Sequence, residues 1–418
     1  MYPLNPATGR LSVRDAWREL AWASVSANVW YLGATSLLTD VSSEMVTSIL
    51  PVYVVLGLQM TPMAFGALDA VYQGVAVLVR TGGGFISDRS RRHKLIAGIG
   101  YGMSAVSKLG FLAVGAAWTP LVAVIVGDRL GKGLRTAPRD ALISLSSAPE
   151  RLGTSFGVHR ALDAAGAACG PLVAFALLAL LPGRFDLVFL TSFWVAIVGL
   201  AVLVLFVRSA PPGHHGRRGR DVSLKGALGL VAEPGFRAVL LAACALALAT
   251  VSDAFLYLTL QQKAGFDGAR LPLLYVGTPL CYFALAGPMG VLADRWGRKS
   301  TFIAGHVLLL MLYGSLFGAA IGWIGPVVCV VLLGGYYAAT DGVLAALASA
   351  MLPVTLRGTG LALLATGTSL GRVAASLAFG VLWTWWGHET ALTVFAAGLC
   401  VGMLLAFRQL SSVTSAAA

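Results

Sequence analysis

The sequence predicts an all-α integral membrane protein of twelve transmembrane helices, arranged as two six-helix halves. Three observations carry this expectation. Of the 418 residues, 57% are apolar and only 11% are charged, whereas an ordinary soluble domain is roughly 25% charged. Apolar runs of about 20 residues, long enough to cross a hydrocarbon core, recur along the whole chain. A short charged loop also occurs twice, half a chain apart. Its fuller copy reads Gly290-Val291-Leu292-Ala293-Asp294-Arg295-Trp296-Gly297-Arg298-Lys299, and the partial copy reads Gly84-Phe85-Ile86-Ser87-Asp88-Arg89-Ser90-Arg91-Arg92-His93.

The twelve spans fall at 29–57, 61–86, 95–117, 119–145, 154–182, 187–207, 237–261, 270–292, 300–323, 325–351, 358–384 and 390–407. Before the first, residues 1–28 carry Arg14, Trp17, Arg18 and Trp22 on a helix-like repeat, which suits a cytoplasmic or interfacial segment. Spans 1–6 make an N-terminal bundle, 29–207. The segment 208–236, with Pro211, Pro212, His214, His215, Arg217, Arg218 and Arg220, reads as a cytoplasmic linker. Spans 7–12 make a C-terminal bundle, 237–407, followed by a tail, 408–418. The halves match beyond the charged loop. Pro149-Glu150-Arg151-Leu152-Gly153-Thr154 leads into span 5, as Pro353-Val354-Thr355-Leu356-Arg357-Gly358-Thr359 leads into span 11. Gly153 to Gly166 and Gly358 to Gly371 have the same separation. Parallel repeats imply alternating access around a site near the membrane midplane.

Net charge is +12, but the bases sit in short loops beside spans and not in a nucleic-acid-binding patch. They lie overwhelmingly on the side of the linker, so lysine and arginine bias places both termini in the cytoplasm. A bacterial cytoplasmic (inner) membrane is the expected location. Trp118, Trp323, Trp383, Trp385 and Trp386 then fall at the outer interface. The five cysteines are widely spaced inside apolar runs, with neither a disulfide framework nor metal-ligand spacing. No Gly-x4-Gly-Lys-Ser/Thr loop is present, so a gradient and not ATP must supply the energy. Neither cofactor nor enzymatic chemistry is expected, and the chain is expected to function as a monomer.

The duplicated loop resembles motif A of the major facilitator superfamily, the loop joining helices 2 and 3 and helices 8 and 9 of a twelve-helix transporter. The resemblance implies a gate latch. Asp88, Arg89 and Arg92 in one copy, and Asp294, Arg295 and Arg298 in the other, would engage Asp140 and Asp341 when the cytoplasmic side is closed. The first copy is irregular, since Arg91 replaces a glycine and His93 a base.

Ionisable groups inside a membrane are costly and functional by default. Asp40 and Glu44 in span 1 lie one turn apart on one face. Two carboxylates so close in a low dielectric resist being ionised together, which makes a protonatable pair. A salt bridge to Arg372 or Lys108 is the plainer alternative. Asp253 in span 7 has a similar depth in the opposite half, and Asp69 in span 2 lies nearer the outer side. Span 4 holds the densest cluster, from Asp128 and Arg129 through Lys132, Arg135 and Arg139 to Asp140. Being adjacent, Asp128 and Arg129 should each need an interhelical partner. Arg129-x3-Gly133 resembles motif B, whose arginine is implicated in proton transfer in drug–proton antiporters. Gly157, Gly166, Gly170 and Pro171 in span 5 resemble the antiporter motif C, with Ala174 and Phe175 where the family has Gly-Gly. Arg160 and Asp163 share that span and are spaced to pair.

Within that family the chain resembles bacterial twelve-helix drug/proton antiporters. It implies proton-coupled export of a small amphipathic or drug-like molecule, with Asp40, Glu44 and Arg129 in proton coupling. Lys132, Arg160, Asp163, Asp253 and Arg372 are the candidate cavity residues. The alternative is proton-coupled uptake or exchange of an organic anion, held by Arg129, Lys132, Arg160 and Arg372. A non-transporting sensor is disfavoured by the loop latches in both halves.

Overall fold

In hydrocarbon, only a helix satisfies every backbone N–H and C=O within its own segment, and helices form at each of the twelve predicted positions. The computed structural model describes residues 25–90, 92–148, 152–209, 229–317, 324–352 and 357–416. Span 1 is Ala27–Val52, prolonged by a π-helical turn at Tyr53–Gly57. Spans 2 to 6 are Pro62–Ser90, His93–Val114, Trp118–Leu145, Leu152–Leu180 and Phe185–Phe206. Span 7 comes in two pieces, Pro234–Leu248 and Asp253–Ala264. A 3-10 turn, Gly268–Leu273, leads into span 8, Leu274–Trp296. Span 9 is Arg298–Ser315 and span 10 is Ile324–Ala350. Spans 11 and 12 form one run, Arg357–Ala416, broken at Gly387, whose φ of 81° only glycine adopts readily. The expected N-terminal segment and linker fall mostly outside the described residues. The expected tail continues as helix through Ala416.

The duplication visible in sequence reappears in the packing. Span 1 packs on spans 5 and 6, span 3 on spans 4 and 6, and span 2 on span 4. Correspondingly, span 7 and span 9 both pack on the span 11–12 run, span 9 also packs on span 10, and span 8 packs on span 10. The halves meet along two equivalent seams, span 2 on span 11 and span 5 on span 8. We call the face carrying the span 6–7 connection the linker face.

The seam between spans 2 and 11 is tightest at the face opposite the linker. A Cβ added to Gly66 would lie 2.6 Å from the Ser376 carbonyl oxygen, and one added to Gly380 would lie 2.8 Å from that of Pro62. Met63 N–H donates to Thr384 Oγ1 across it at 2.8 Å. Trp383, expected at a lipid interface, is instead buried there against Phe255 and Phe379. Its ring completes an aromatic plug, whereas Trp385 and Trp386 on the same turn stay exposed.

Small residues let spans 1 and 5 touch, as the glycine spacing predicts, but only in part. Gly166 abuts the backbone of Leu37, and a Cβ on Gly170 would lie 2.6 Å from the Val41 carbonyl oxygen. Gly157 faces open space and belongs to no such contact. It lies near the start of span 5, before the two helices converge.

The sequence reading took span 7 as continuous, but it breaks at Ala249–Ser252. Breaking a membrane helix frees backbone groups that something must satisfy. Tyr313 of span 9 does so: its hydroxyl accepts from Val251 N–H at 2.7 Å and donates to the Ala249 carbonyl at 3.1 Å. Tyr313→Phe leaves a buried N–H unpaired and is expected to cost about 1–3 kcal/mol. Thermal melting of the purified protein checks this; an unchanged melting temperature would show that the break is held by other means.

Candidate functional site

The N-terminal half gathers its membrane-embedded charges between spans 1, 3, 4 and 5. Asp40 Oδ1 receives Arg135 Nη2 at 3.4 Å. Glu44 Oε1 lies 3.9 Å from Lys132 Nζ. Asp163 of span 5 faces Arg139 Nη1 at 3.5 Å, Arg160 Nη1 at 3.7 Å and His159 Nε2 at 3.9 Å. The Asp40 and Asp163 carboxyls lie near enough to each other to interact. Arg139 also donates to Ser36 Oγ at 2.9 Å and to Asp140 Oδ1 at 3.1 Å. The structure therefore sets Asp40 against Arg135 and near Asp163, and Glu44 beside Lys132; among the described residues neither Arg372 nor Lys108 pairs with them.

Lys108 is engaged elsewhere. Asp128 accepts from Ser104 Oγ at 2.5 Å and Lys108 Nζ at 3.1 Å, both from span 3, and from its neighbour Arg129. Asp128 thus has the interhelical partners expected of it; what is corrected is that Arg129, its neighbour, also reaches it. The arginine stem is long enough to turn its guanidinium back onto the neighbouring carboxylate. Arg129 then stacks its guanidinium 3.8 Å from the centre of the Tyr72 ring and contacts neither Asp40 nor Glu44 by hydrogen bond or ion pair among the described residues.

Between the halves lies a central cavity of about 180 Å³, lined by Asp69, Tyr72, Asp253, Tyr275, Tyr337 and Arg372 among others. Asp253 opens the second piece of span 7, at the break, and Asp253 Oδ1 accepts from the Tyr337 hydroxyl at 2.7 Å. Asp69 Oδ2 accepts from Ser376 Oγ at 2.5 Å and Gln73 Nε2 at 2.9 Å, which ties span 2 to span 11 just beneath the closed face. Of the predicted cavity residues, Asp253 and Arg372 line this space, while Lys132, Arg160 and Asp163 belong to the N-terminal network. Tyr72, Gln73 and Ser376 carry no sequence signal strong enough to single them out. The polar run Thr250-Val251-Ser252-Asp253 inside an apolar span does mark the break and the cavity wall.

Among the described residues, the second loop latch is not closed onto Asp341, and the first falls largely outside them. The side chains of Asp88 and Arg89 lie outside the described residues, and Asp140 pairs with Arg139 of its own helix. In the second copy Arg298 lies 4.0 Å from Asp294 and donates to the Ala346 carbonyl of span 10 at 3.2 Å. Arg295 and Asp294 are exposed. Asp341 sits deeper in span 10, lining a second cavity, with Arg372, inside the C-terminal half.

A solved structure of a mutant of the nucleoside transporter NupG superposes with a TM-score of 0.77 over 92% of this chain and 99% of that one, at 14% identity. A bacterial homologue of the human lysosomal transporter Spinster, solved inward-facing and occupied, gives 0.69 over 91% and 96%, at 13% identity. At such identities the likeness shows the shared fold. In sequence, an uncharacterised MFS-type transporter of Methanocaldococcus jannaschii is 30% identical over 393 residues, covering 92% of this chain and 95% of that one. The family model described as Major Facilitator Superfamily matches residues 32–281 and 240–416. Helices in two repeated bundles among the described residues, a cavity at their seam and these matches give one answer: the chain belongs to the Major Facilitator Superfamily and is a multi-pass membrane transporter, not an enzyme.

Proposed function

We propose that this transporter is a proton-coupled exporter of a small amphipathic molecule, in which the Asp40–Asp163 contact is the proton switch. That contact is the observation that carries the reading. Two neighbouring carboxyls in a low-dielectric setting resist being ionised together, so the pair favours holding one proton. Removing the proton puts two negative charges side by side, next to Arg135 and Arg139, and drives a rearrangement of spans 1, 4 and 5. Spans 1 and 5 meet through Gly166 and Gly170, so a charge change there bears on the packing of the N-terminal bundle. With the lysine and arginine bias putting the linker face in the cytoplasm, the closed seam at Gly66 and Gly380 belongs to an inward-facing state. The bundles 29–207 and 237–407 are then the two bodies that rock against each other in a functional monomer. The central cavity offers tyrosine rings beside Asp69, Asp253 and Arg372, which suits a substrate with both an apolar and a polar part. Asp88, Arg89, Arg92, Asp140, Asp294, Arg295, Arg298 and Asp341 act as latches on closure of the cytoplasmic side.

The test is transport in proteoliposomes under an imposed pH gradient. Asp40→Asn and Asp163→Asn are each expected to lose gradient-driven accumulation while retaining substrate exchange. Full accumulation in both variants would remove the proton switch. Uptake or exchange of an organic anion is the second reading. One observation favours it: Arg372 is a membrane-embedded base that lines the central cavity with no ion pair among the described residues. Loss of anion exchange in Arg372→Gln with accumulation unaffected by Asp40→Asn would select it.

A further inference from the structure

The larger of the two cavities lies inside the C-terminal half. It holds about 370 Å³ between spans 7, 9, 10 and 11, within the range of small-molecule sites. Its lining reaches from Leu361, one turn into span 11 from Arg357, to Arg372 near the middle of that span. It therefore occupies the linker-face part of the bundle, whereas the central cavity lies nearer the closed seam. Only the Arg372 side chain lines both spaces.

Its charges are unusual. Arg372 and Asp341 face the same cavity, yet among the described residues neither makes a hydrogen bond or an ion pair within the bundle. Opposite charges facing one cavity gain most by pairing, yet these two attract only across the open space. Spans 10 and 11 hold these two apart. His306 adds a second acceptor. Its Nδ1 lies 2.9 Å from the Phe302 carbonyl and must donate there, which leaves Nε2 with a lone pair. The ring is clamped edge-on between Phe302 and Tyr336. Ala247, Leu344 and Leu364 supply an apolar wall.

We propose that this cavity is a second ligand site, for a dipolar amphiphile that carries an anionic and a cationic group on one apolar body. Arg372 takes the anionic group, Asp341 and His306 take the cationic one, and the aliphatic wall takes the body. A simple anion meets repulsion from Asp341, and a simple cation meets repulsion from Arg372. A neutral molecule offers neither charge a direct partner. A ligand here binds Arg372 at the border of the two cavities, so it competes with any occupant of the central cavity for the same guanidinium. The site stands on the separated charges of the C-terminal half and is independent of the proton switch in the N-terminal half.

The test is thermal stabilisation of the full-length protein in detergent by three matched probes. L-Phenylalanine carries both charges, hydrocinnamate lacks the ammonium group, and phenethylamine lacks the carboxylate. L-Phenylalanine is expected to raise the melting temperature above the rise given by either truncated probe. The shift is expected to vanish in Arg372→Gln and in Asp341→Asn. Ala365→Phe, which fills the cavity while keeping both charges, is expected to abolish it too and serves if a charge variant fails to fold. No shift with L-phenylalanine, equal shifts with all three probes, or a shift that survives in Ala365→Phe would each overturn the assignment. Because proton-driven accumulation in Asp40→Asn is a separate measurement, either idea can fail while the other stands.

Discussion

Asp128→Asn is expected to be the most damaging single substitution in the N-terminal half, costing about 3–5 kcal/mol of stability. Lys108 is 1% exposed and Arg129 is 4% exposed. Asp128 is the one carboxylate shared by both, and Ser104 donates to the same group. An asparagine keeps the shape but removes the charge, which leaves two cations without a counter-ion in a low-dielectric setting. The Tyr72 ring stacked on Arg129 supplies at most about 2 kcal/mol of cation–π attraction and nothing to Lys108. Lys108→Met is expected to cost less, because Arg129 and Asp128 then still neutralise each other. The measurement is the melting temperature and monodisperse yield of both variants in the same detergent. If Asp128→Asn melts with the unsubstituted protein, the triad does not bind span 3 to span 4. A milder second effect is expected at the cavity. Arg129 packs on Tyr72, whose hydroxyl meets Thr47 Oγ1 at 2.7 Å, so a displaced guanidinium moves a cavity wall.

The fold was legible because its strongest determinants are periodic and local. Apolar runs set the spans, the loop at 290–299 and its copy at 84–93 set the duplication, and arginine placement set the expected sidedness. What failed was decided by side-chain reach and by tertiary contact. Nothing near Trp383 says that it turns inward to Phe255 while Trp385 and Trp386 turn out. Gly157, Gly166 and Gly170 look alike as letters, yet only the last two lie where spans 1 and 5 converge. The break in span 7 depends on Tyr313, which arrives from another helix some sixty residues away.

For the site, charge identified the important residues but not their partners. Asp40 was singled out with Glu44 because they share a helical face, but its carboxyl lies near Asp163 of span 5, a proximity that needs the helix crossing to be known. Arg129 is grouped with Asp40 and Glu44 for proton coupling by the motif B resemblance, but its guanidinium folds back on Asp128. Arg372 and Asp341 were placed in separate roles, yet they line a single cavity. Sequence spacing tells which groups share a face; it does not tell which faces meet.

Gly66→Leu is expected to move the protein out of the state described here without unfolding it. The closed seam depends on backbone approaching backbone: any side chain on Gly66 meets the Ser376 carbonyl, and Gly380 lies directly opposite. Overpacking such a contact costs about 1–3 kcal/mol. The cost falls on the closed seam alone, because opening that face separates spans 2 and 11 and relieves it. The balance between the two states should therefore shift by about 5–150-fold toward the one open opposite the linker. Spin labels at Gln59 and His388, in a background with the five cysteines replaced, read the separation of the two halves at that face. The expected result is a longer and broader distance in Gly66→Leu. Gly157→Leu, whose added side chain enters open space, should leave it unchanged. Distances identical to the unsubstituted protein in Gly66→Leu would show that this seam is not the moving contact. A lengthened distance with exchange lost would tie alternating access to the span 2–11 seam, since a protein held open on one face cannot deliver its substrate to the other.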